Sequence, residues 1–196
     1  MAVVVVAGQA RKVGKTSVVC ELIAAMLERE WVAIKVSSHG HGHGHGARFS
    51  EVVAGATKQQ VPFEDDNQKG KSKGDSARYL AAGAVGAFFL SAAEGQWEEV
   101  MPRVREIIAE ARNVLVESNG VLEFLQPDLL IAVIDPAVGD FKDSLKRHVA
   151  KVDAVVVPEG EEVGGMFAAK RIFRSNPPNY CSAELVAFVR GVLDTK

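Results

Sequence analysis

The chain has 196 residues, 47% of them hydrophobic and 24% charged, which is enough for one domain, spanning residues 1–196, with its own core. Its 23 basic and 25 acidic residues give a net charge of −2, so it lacks the broad positive field of nucleic-acid-binding and membrane-surface proteins. The two cysteines, Cys20 and Cys181, belong to no CxxC pair, which argues against a disulfide framework or a thiolate zinc site. No apolar stretch approaches the ~20 residues of a bilayer span, and we expect a cytoplasmic protein without nucleic-acid or membrane partners.

The first predicted elements are a buried strand, a glycine-bounded turn and a helix. Val3 to Val6 form a continuous apolar run, and Thr16 to Glu30 carries apolar residues at helical spacing. The turn between them, residues 8–17, has the sequence GQARKVGKTS. Backbone N–H groups of such a turn can wrap a triphosphate at the positive end of the helix, so this segment predicts a nucleoside triphosphate site.

Individual residues of this turn have predicted roles. Lys15 can reach the β- and γ-phosphates, and the hydroxyl of Thr16 can bind Mg²⁺. Five residues separate the two glycines, whereas the usual pattern has about four. The alternative is a glycine-containing turn whose lysine only begins a solvated helix. The turn residues expected to contact the nucleotide are Gly8, Val13, Gly14, Lys15, Thr16 and Ser17.

Further along the chain, short apolar runs alternate with helical patterns. The runs predict strands over residues 31–36, 85–91, 113–117, 129–134 and 154–157. The helical patterns predict helices over residues 75–82, 96–112, 141–149 and 183–193, with Asp75 and Ser182 as N-caps of the first and last. Such alternation is typical of an open α/β fold with a doubly wound, mainly parallel sheet of about five to seven strands.

Residues 37–74 interrupt this alternation, and we expect a long flexible loop rich in histidine, glycine and polar residues. Within it, His39, His41, His43 and His45 alternate with glycines, which can bring four imidazoles round a Zn²⁺ or Ni²⁺ ion. The alternative is a flexible glycine-rich loop that binds metal only adventitiously.

Polar residues that follow the strands are candidate site residues, because ligands of such sheets gather at the carboxyl ends of the strands. Glu117 directly follows an apolar strand and can hold Mg²⁺, or a water molecule on it, beside Thr16. The alternative for Glu117 is an acid that caps the turn after the strand.

These motifs resemble the phosphate-loop NTPase family that includes the molybdopterin-guanine dinucleotide biosynthesis protein B (MobB). The matching segments are the turn at residues 8–17, Ala33-Ile34-Lys35 before the histidines, Gly74-Asp75-Ser76-Ala77-Arg78 with Ala82-Gly83-Ala84, and Val114-Leu115-Val116-Glu117. Together they span about three-fifths of the chain. The resemblance implies a phosphate-loop NTPase domain that binds Mg²⁺ and GTP, hydrolyses it weakly and works as a homodimer. It also implies a role in attaching a nucleotide to molybdopterin, alongside a second protein of molybdenum cofactor biosynthesis.

The chain departs from this family at several positions. No acid follows soon after the histidines, and Glu117-Ser118-Asn119-Gly120 stands where the family has a Glu-Gly-Phe turn. The final third has no guanine-reading Asn-Lys-x-Asp sequence, which leaves Asn176, before Pro177, as the candidate base contact. Both GTP and ATP therefore stay open as the nucleotide.

The spacing of the phosphate loop is similar to that of dethiobiotin synthetase and the cobyrinic acid amidation enzymes, which are ATP-dependent ligases. This resemblance implies that Lys35 contacts substrate and phosphate and that Glu117 holds the metal, so Lys15, Lys35 and Glu117 are the candidate catalytic residues. The alternative is that Lys35 only covers the sheet edge. Three functions stay open: a MobB-like accessory protein, an ATP-dependent small-molecule ligase or kinase, and a metal-delivery NTPase that uses the histidine loop.

Overall fold

A computed structural model describes residues 1–37, 74–91 and 96–195, together with the backbone of residues 48–53. The strands are β1 (Ala2–Gly8), β2 (Trp31–Ser37), β3 (Arg48–Val53), β4 (Gly86–Ser91), β5 (Asn113–Glu117), β6 (Leu129–Val133), β7 (Ala154–Pro158) and β8 (Arg171–Ser175). The α-helices are α1 (Lys15–Ala25), α2 (Asp75–Ala81), α3 (Trp97–Glu110), α4 (Asp143–Lys146) and α5 (Ala183–Asp194). No helix in the described ranges is both long enough and apolar enough to cross a membrane.

The described strands form a single sheet in the order β3-β4-β2-β5-β1-β6-β7-β8. Seven of them run parallel, and β3 at one edge runs antiparallel to β4. β1 lies between β5 and β6, so the turn after β1 leaves the middle of the sheet. This arrangement confirms the predicted doubly wound, mainly parallel α/β fold, and the described part of the sheet has eight strands where five to seven were predicted.

Both faces of the sheet are covered, which explains why its central strands are continuous apolar runs. Val4 and Val6 of β1 pack on the side of α1, α2 and α5. Val3 and Val5 point to the opposite side, where they pack with residues of α3 and α4. Alternate side chains of β1 therefore enter two separate core layers, and every residue of this strand is buried.

Four element predictions need correction. β3 lies inside residues 37–74, where a loop was expected, because its backbone pairs with the edge strand β4. β8 was not predicted, since only its third and fifth residues are buried. The helix predicted over residues 141–149 shortens to α4, because Lys142 before it has extended backbone and the N–H of His148 after it bonds only three residues back, to Leu145 O. Asp75 is the first residue of α2, and Gly74 occupies the cap position.

Candidate functional site

A cleft of about 630 Å³ lies at the carboxyl ends of the central strands. The turn after β1, the last residues of β2 and β5, and the segment between β6 and α4 contribute to its lining. Parallel strands deliver all of these segments to the same edge of the sheet. Of the predicted site residues, those that line the cleft are Gly14, Lys15, Thr16, Ser17, Lys35 and Glu117.

The turn at residues 8–14, which we call the phosphate loop, depends on glycine at both ends. Gly14 has a φ of +100°, which is the left-handed region that favours glycine. A Cβ atom built on Gly14 would lie 2.0 Å from the ring of Tyr180, so this ring packs directly on the loop. A Cβ atom on Gly8 would lie 2.7 Å from Cδ of Lys15. Both glycines therefore make room for side chains that line or cross the loop.

A carboxylate of α1 holds Tyr180 in this place. Glu21 accepts hydrogen bonds from the backbone N–H of Tyr180 (2.8 Å) and of Cys181 (2.7 Å). The segment before α5 is thereby fixed to the helix that follows the phosphate loop. Tyr180 lines the cleft, and sequence reasoning missed it. Nothing in the local sequence pattern indicates that this segment packs against the phosphate loop.

Lys15 crosses the phosphate loop and has no carboxylate partner among the described residues. Its Nζ atom donates to the backbone oxygen of Ala10 (2.6 Å). Burial lowers the pKa of Lys15 to about 8, although the negative charge of Glu117 opposes this shift. A half-buried cation without an acidic partner is available to an anionic ligand.

Glu117, at the end of β5, is the centre of a buried hydrogen-bond network. Its Oε2 atom accepts from Thr16 Oγ1 (2.7 Å) and from the hydroxyl of Tyr79, and its Oε1 atom accepts from Lys35 Nζ (2.9 Å). Only 4% of its side chain is exposed. Three donors, one of them the ammonium group of Lys35, therefore satisfy this buried carboxylate.

Lys35 joins Glu117 to a second carboxylate. Its Nζ atom lies 2.6 Å from Asp75 Oδ2, and its side chain is 20% exposed towards the cleft. Burial alone lowers the pKa of Lys35, but the charges and hydrogen bonds of Glu117 and Asp75 outweigh it and raise the pKa. We call Lys35, Asp75, Tyr79 and Glu117 the carboxylate wall. Since β2 is an interior strand, the alternative that Lys35 covers the sheet edge is wrong.

Asp75 and Tyr79 are residues that sequence reasoning did not assign to the site. Asp75 was predicted only as a helix cap, yet it accepts from Lys35 and lies 3.6 Å from Arg78. Arg78 in turn lies 3.3 Å from the hydroxyl of Ser17. Asp75, Arg78 and Tyr79 are spaced three and four residues apart, which places them on one side of α2. This spacing inside the Gly-Asp-Ser-x-Arg segment was the available signal.

The start of the phosphate loop is fixed by two amide side chains. Asn119 accepts from the N–H of Gly8 (2.8 Å) and donates to its carbonyl oxygen (2.9 Å). Gln9 bonds through its side chain to the N–H of Asp135 (3.0 Å) and to the carbonyl of Val138. The segments after β5 and β6 therefore hold the loop in place from both sides.

Thr16 and Glu117 form an oxygen pair that fits Mg²⁺, which prefers hydroxyl, carboxylate and water oxygens. Among the residues that the structure describes, no group of three or more His, Cys, Asp or Glu side chains could hold a metal ion. The two oxygens would therefore supply part of an octahedral shell, and the rest would come from water and phosphate oxygens, as is usual for Mg²⁺ beside a nucleotide.

The remaining predicted residues lie elsewhere. Gly8 and Val13 are buried residues of the loop, and they do not line the cleft. Asn176 is exposed after β8, where its backbone pairs with Asn179, and it does not line the cleft. The histidine predictions, His39, His41, His43 and His45, lie outside the described residues.

The comparisons with known proteins concern the fold. The chain matches no protein-family model and no curated protein sequence. It is similar in fold to LpxK from Aquifex aeolicus, a structure solved in complex with ATP, with a TM-score of 0.53 and 17% sequence identity. The similarity covers 89% of this chain and 53% of that chain, so this chain spans about half the length of LpxK. At this level of identity the likeness shows a shared α/β fold.

Proposed function

We propose that the cleft binds the triphosphate of a magnesium–nucleoside triphosphate complex. The carrying observation is that Lys15, which has no carboxylate partner in the described part of the chain, lies in the same cleft as the 2.7 Å pair of Thr16 and Glu117. Lys15 would bind the β- and γ-phosphates, and Thr16 and Glu117 would hold the metal or its water. The ATP bound to LpxK, a protein of similar fold, supports the choice of ligand.

The carboxylate wall supports a role in phosphoryl-group chemistry. Lys35 presents an ammonium group at the cleft, held in one position by Asp75 and Glu117. A positively charged group fixed before the ligand arrives can stabilise charge that develops on a transferring phosphate. Magnesium, when bound, would neutralise charge on the phosphate oxygens.

For the biological role we propose a MobB-like accessory protein of molybdenum cofactor biosynthesis, working as a homodimer on GTP. The support is the Gly74–Arg78 segment, because Asp75 and Arg78 both contact residues of the cleft. Co-purification of a pterin, or binding of one by the nucleotide-loaded protein, is the expected result. A weak basal NTPase rate that no small-molecule acceptor raises also fits this role.

The second candidate is an ATP-dependent small-molecule ligase or kinase. The observation that favours it is the position of Lys35 on an interior strand with its ammonium at the cleft, as the ligase resemblance implies. This function predicts nucleotide turnover that rises sharply with one metabolite and collapses in Lys35→Ala. Retention of metabolite-stimulated turnover in that variant would contradict it.

The metal-delivery function stays a prediction, because its histidines lie outside the described residues. Equilibrium dialysis with Zn²⁺ and Ni²⁺, with and without nucleotide, measures it directly. The function requires a tight site that is lost when His39, His41, His43 and His45 are replaced by serine. Affinity that is indifferent to nucleotide would exclude it.

Competition binding with ATP and GTP tests the proposed function. A fluorescent nucleotide is displaced from the full chain by each triphosphate, first with Mg²⁺ and then with a chelator. We expect at least one triphosphate to bind, with affinity that falls by about tenfold or more when Mg²⁺ is removed. Affinity that is unchanged without Mg²⁺ would contradict the role given to Thr16 and Glu117.

A further inference from the structure

Lys142 is a cleft residue that the proposed triphosphate contacts do not use. It lies between β6 and α4, and its backbone N–H donates to Gln9 O (2.8 Å). Two residues further on, Ser144 accepts a hydrogen bond from Nδ2 of Asn119 (3.2 Å), whose side chain also bonds the backbone of Gly8. The segment that carries Lys142 is therefore fixed to the start of the phosphate loop.

Lys142 lies beside the end of the loop where the γ-phosphate would be. The lysine of a phosphate loop reaches the β- and γ-phosphates, and the Nζ atom of Lys15 contacts Ala10, the residue directly after Gln9. The backbone N–H of Lys142 bonds to Gln9 O, and the positive charge of its side chain contributes, after burial, to the low pKa of Lys15. The two cations are thus neighbours at the same end of the cleft.

The charge of Lys142 is not neutralised by a salt bridge within the described residues. Burial and the positive charge of Arg11 lower the pKa of Lys142, while Asp140, the acid that acts on it from beyond salt-bridge distance, opposes the shift. By contrast, Lys35 and Arg78 on the other side of the cleft each have a carboxylate partner. A partly buried ammonium group without such a partner gains most from an anionic ligand.

The cleft is lined by basic residues from separate segments of the chain. Arg11 and Lys12 belong to the phosphate loop, Lys15 directly follows it, and all three line the cleft. Lys142 belongs to a different segment, which bonds to the loop through its backbone at Gln9 O. Its position suits an anion next to the γ-phosphate rather than the triphosphate wrapped by the loop.

We propose that Lys142, with the hydroxyl of Ser144 close by, binds an anionic oxygen group, a phosphate or a carboxylate, of a second substrate. This inference rests on the proposed function, because the second substrate would lie beside a bound Mg·nucleoside triphosphate. Holding the two molecules on two segments that are bonded to each other would orient them for reaction, which is how a site lowers the entropic cost of bringing two reactants together.

The test uses the full chain saturated with Mg²⁺ and the non-hydrolysable analogue of ATP or GTP, whichever binds more tightly. Inorganic phosphate and acetate are the two probes, titrated separately by calorimetry. We expect saturable binding of at least one, and a loss of about tenfold or more in that affinity for Lys142→Gln, with a loss of nucleotide affinity below about threefold. Lys146→Gln is the matched control, since its exposed charge pairs with Asp143 (3.1 Å), and it should bind both as the native chain does.

Three outcomes would overturn the inference. They are no saturable anion binding by the loaded native chain, an equal loss in Lys146→Gln, and a loss of nucleotide affinity in Lys142→Gln that exceeds its loss of anion affinity. The first titration, with the nucleotide analogue alone, separates these from a failure of the proposed function. If the native chain binds no analogue in that step, the proposed function is wrong and this inference falls with it.

Discussion

Lys35 and Lys15 are two lysines of one cleft with opposite surroundings. Lys35 lies 2.6 Å from Asp75 and 2.9 Å from Glu117, whereas Lys15 donates only to a backbone carbonyl. The pKa of Lys35 is raised by its partners, and burial lowers the pKa of Lys15 to about 8. The carboxylate wall is thus complete by itself, while the phosphate loop carries a charge whose desolvation only a ligand would compensate.

This difference predicts that the two lysines contribute to the stability of the free protein with opposite sign. A buried group whose partners are all present contributes to folding, or at least costs much when it is removed. A buried cation without an acidic partner costs stability, and sites for anions carry such costs because the ligand repays them. The following predictions change either the carboxylate wall or Lys15, one residue at a time.

The largest expected effect is on the carboxylate wall. Glu117→Ala removes the acceptor of three hydrogen bonds and leaves the buried hydroxyl of Tyr79 without its partner. We expect the free energy of unfolding to fall by on the order of 3 kcal/mol. Chemical denaturation measures this, with Glu123→Ala as control, because Glu123 forms an exposed ion pair with Arg147. Equal, small losses in both variants would contradict the description of a buried network.

A change in stability of the opposite sign is expected when the charge of Lys15 is removed. Lys15→Met keeps the aliphatic chain that packs on Gly8 and removes the poorly solvated charge. We expect the free energy of unfolding at pH 7 to rise by on the order of 2 kcal/mol. Lys151→Met, an exposed lysine, is the control and should change stability little. A fall in the free energy of unfolding in Lys15→Met would contradict this, because it would show that the folded protein stabilises the charge of Lys15.

The low pKa of Lys15 also predicts opposite effects of pH on folding and on binding. Because the folded state lowers this pKa from 10.5 to about 8, the folded protein releases the proton first, and stability from this group rises between those values. Affinity for a nucleoside triphosphate should fall over the same range, by up to about tenfold per pH unit, because only the ammonium form binds the anion. Calorimetry at pH 7.5 to about 9.5 measures both, and affinity that is independent of pH would contradict the assignment.

A smaller effect is expected for Tyr79→Phe, which removes one donor to Glu117 and leaves Thr16 and Lys35 in place. The expected loss of stability is about 1 kcal/mol, the usual value of one buried hydrogen bond. Tyr180→Phe is the matched variant, because the Tyr180 hydroxyl has no hydrogen bond to the described residues, and its stability should stay within about 0.5 kcal/mol of the native chain. A larger loss of stability in Tyr180→Phe than in Tyr79→Phe would contradict the hydrogen bond assigned to the Tyr79 hydroxyl.

The parts of the site that were predictable lie next to each other in sequence or follow a buried strand. Lys15 and Thr16 follow β1 within the motif itself. Glu117 was identified because it directly follows an apolar strand, and in the structure that strand, β5, pairs with β1. Asp75 and Tyr79 reach the site only because α2 packs beside β2, a tertiary contact that local patterns do not specify. Tyr180 is more distant still in the chain.

The fold shows the same division. Buried strands are continuous apolar runs, and β5 was predicted at its observed bounds. The bounds predicted for β2, β6 and β7 each differ from the observed ones by one residue. The edge strand β8 exposes several of its side chains, so its sequence lacks the pattern that identifies interior strands. The segment before α4 bonds to the phosphate loop, an interaction with a residue more than a hundred positions earlier that local patterns do not specify.

Binding of Mg·nucleoside triphosphate by Lys15→Ala tests the central claim most directly. Calorimetric titration of the native chain, Lys15→Ala and Lys151→Ala with ATP and GTP in Mg²⁺ gives the three affinities. The native chain and Lys151→Ala should bind alike, and Lys15→Ala should lose about a hundredfold or more, since the γ-phosphate loses its principal cation. Folding is not expected to limit this variant, because the charge it removes is destabilising. Affinity in Lys15→Ala equal to that of the native chain would contradict the assignment of the phosphate loop.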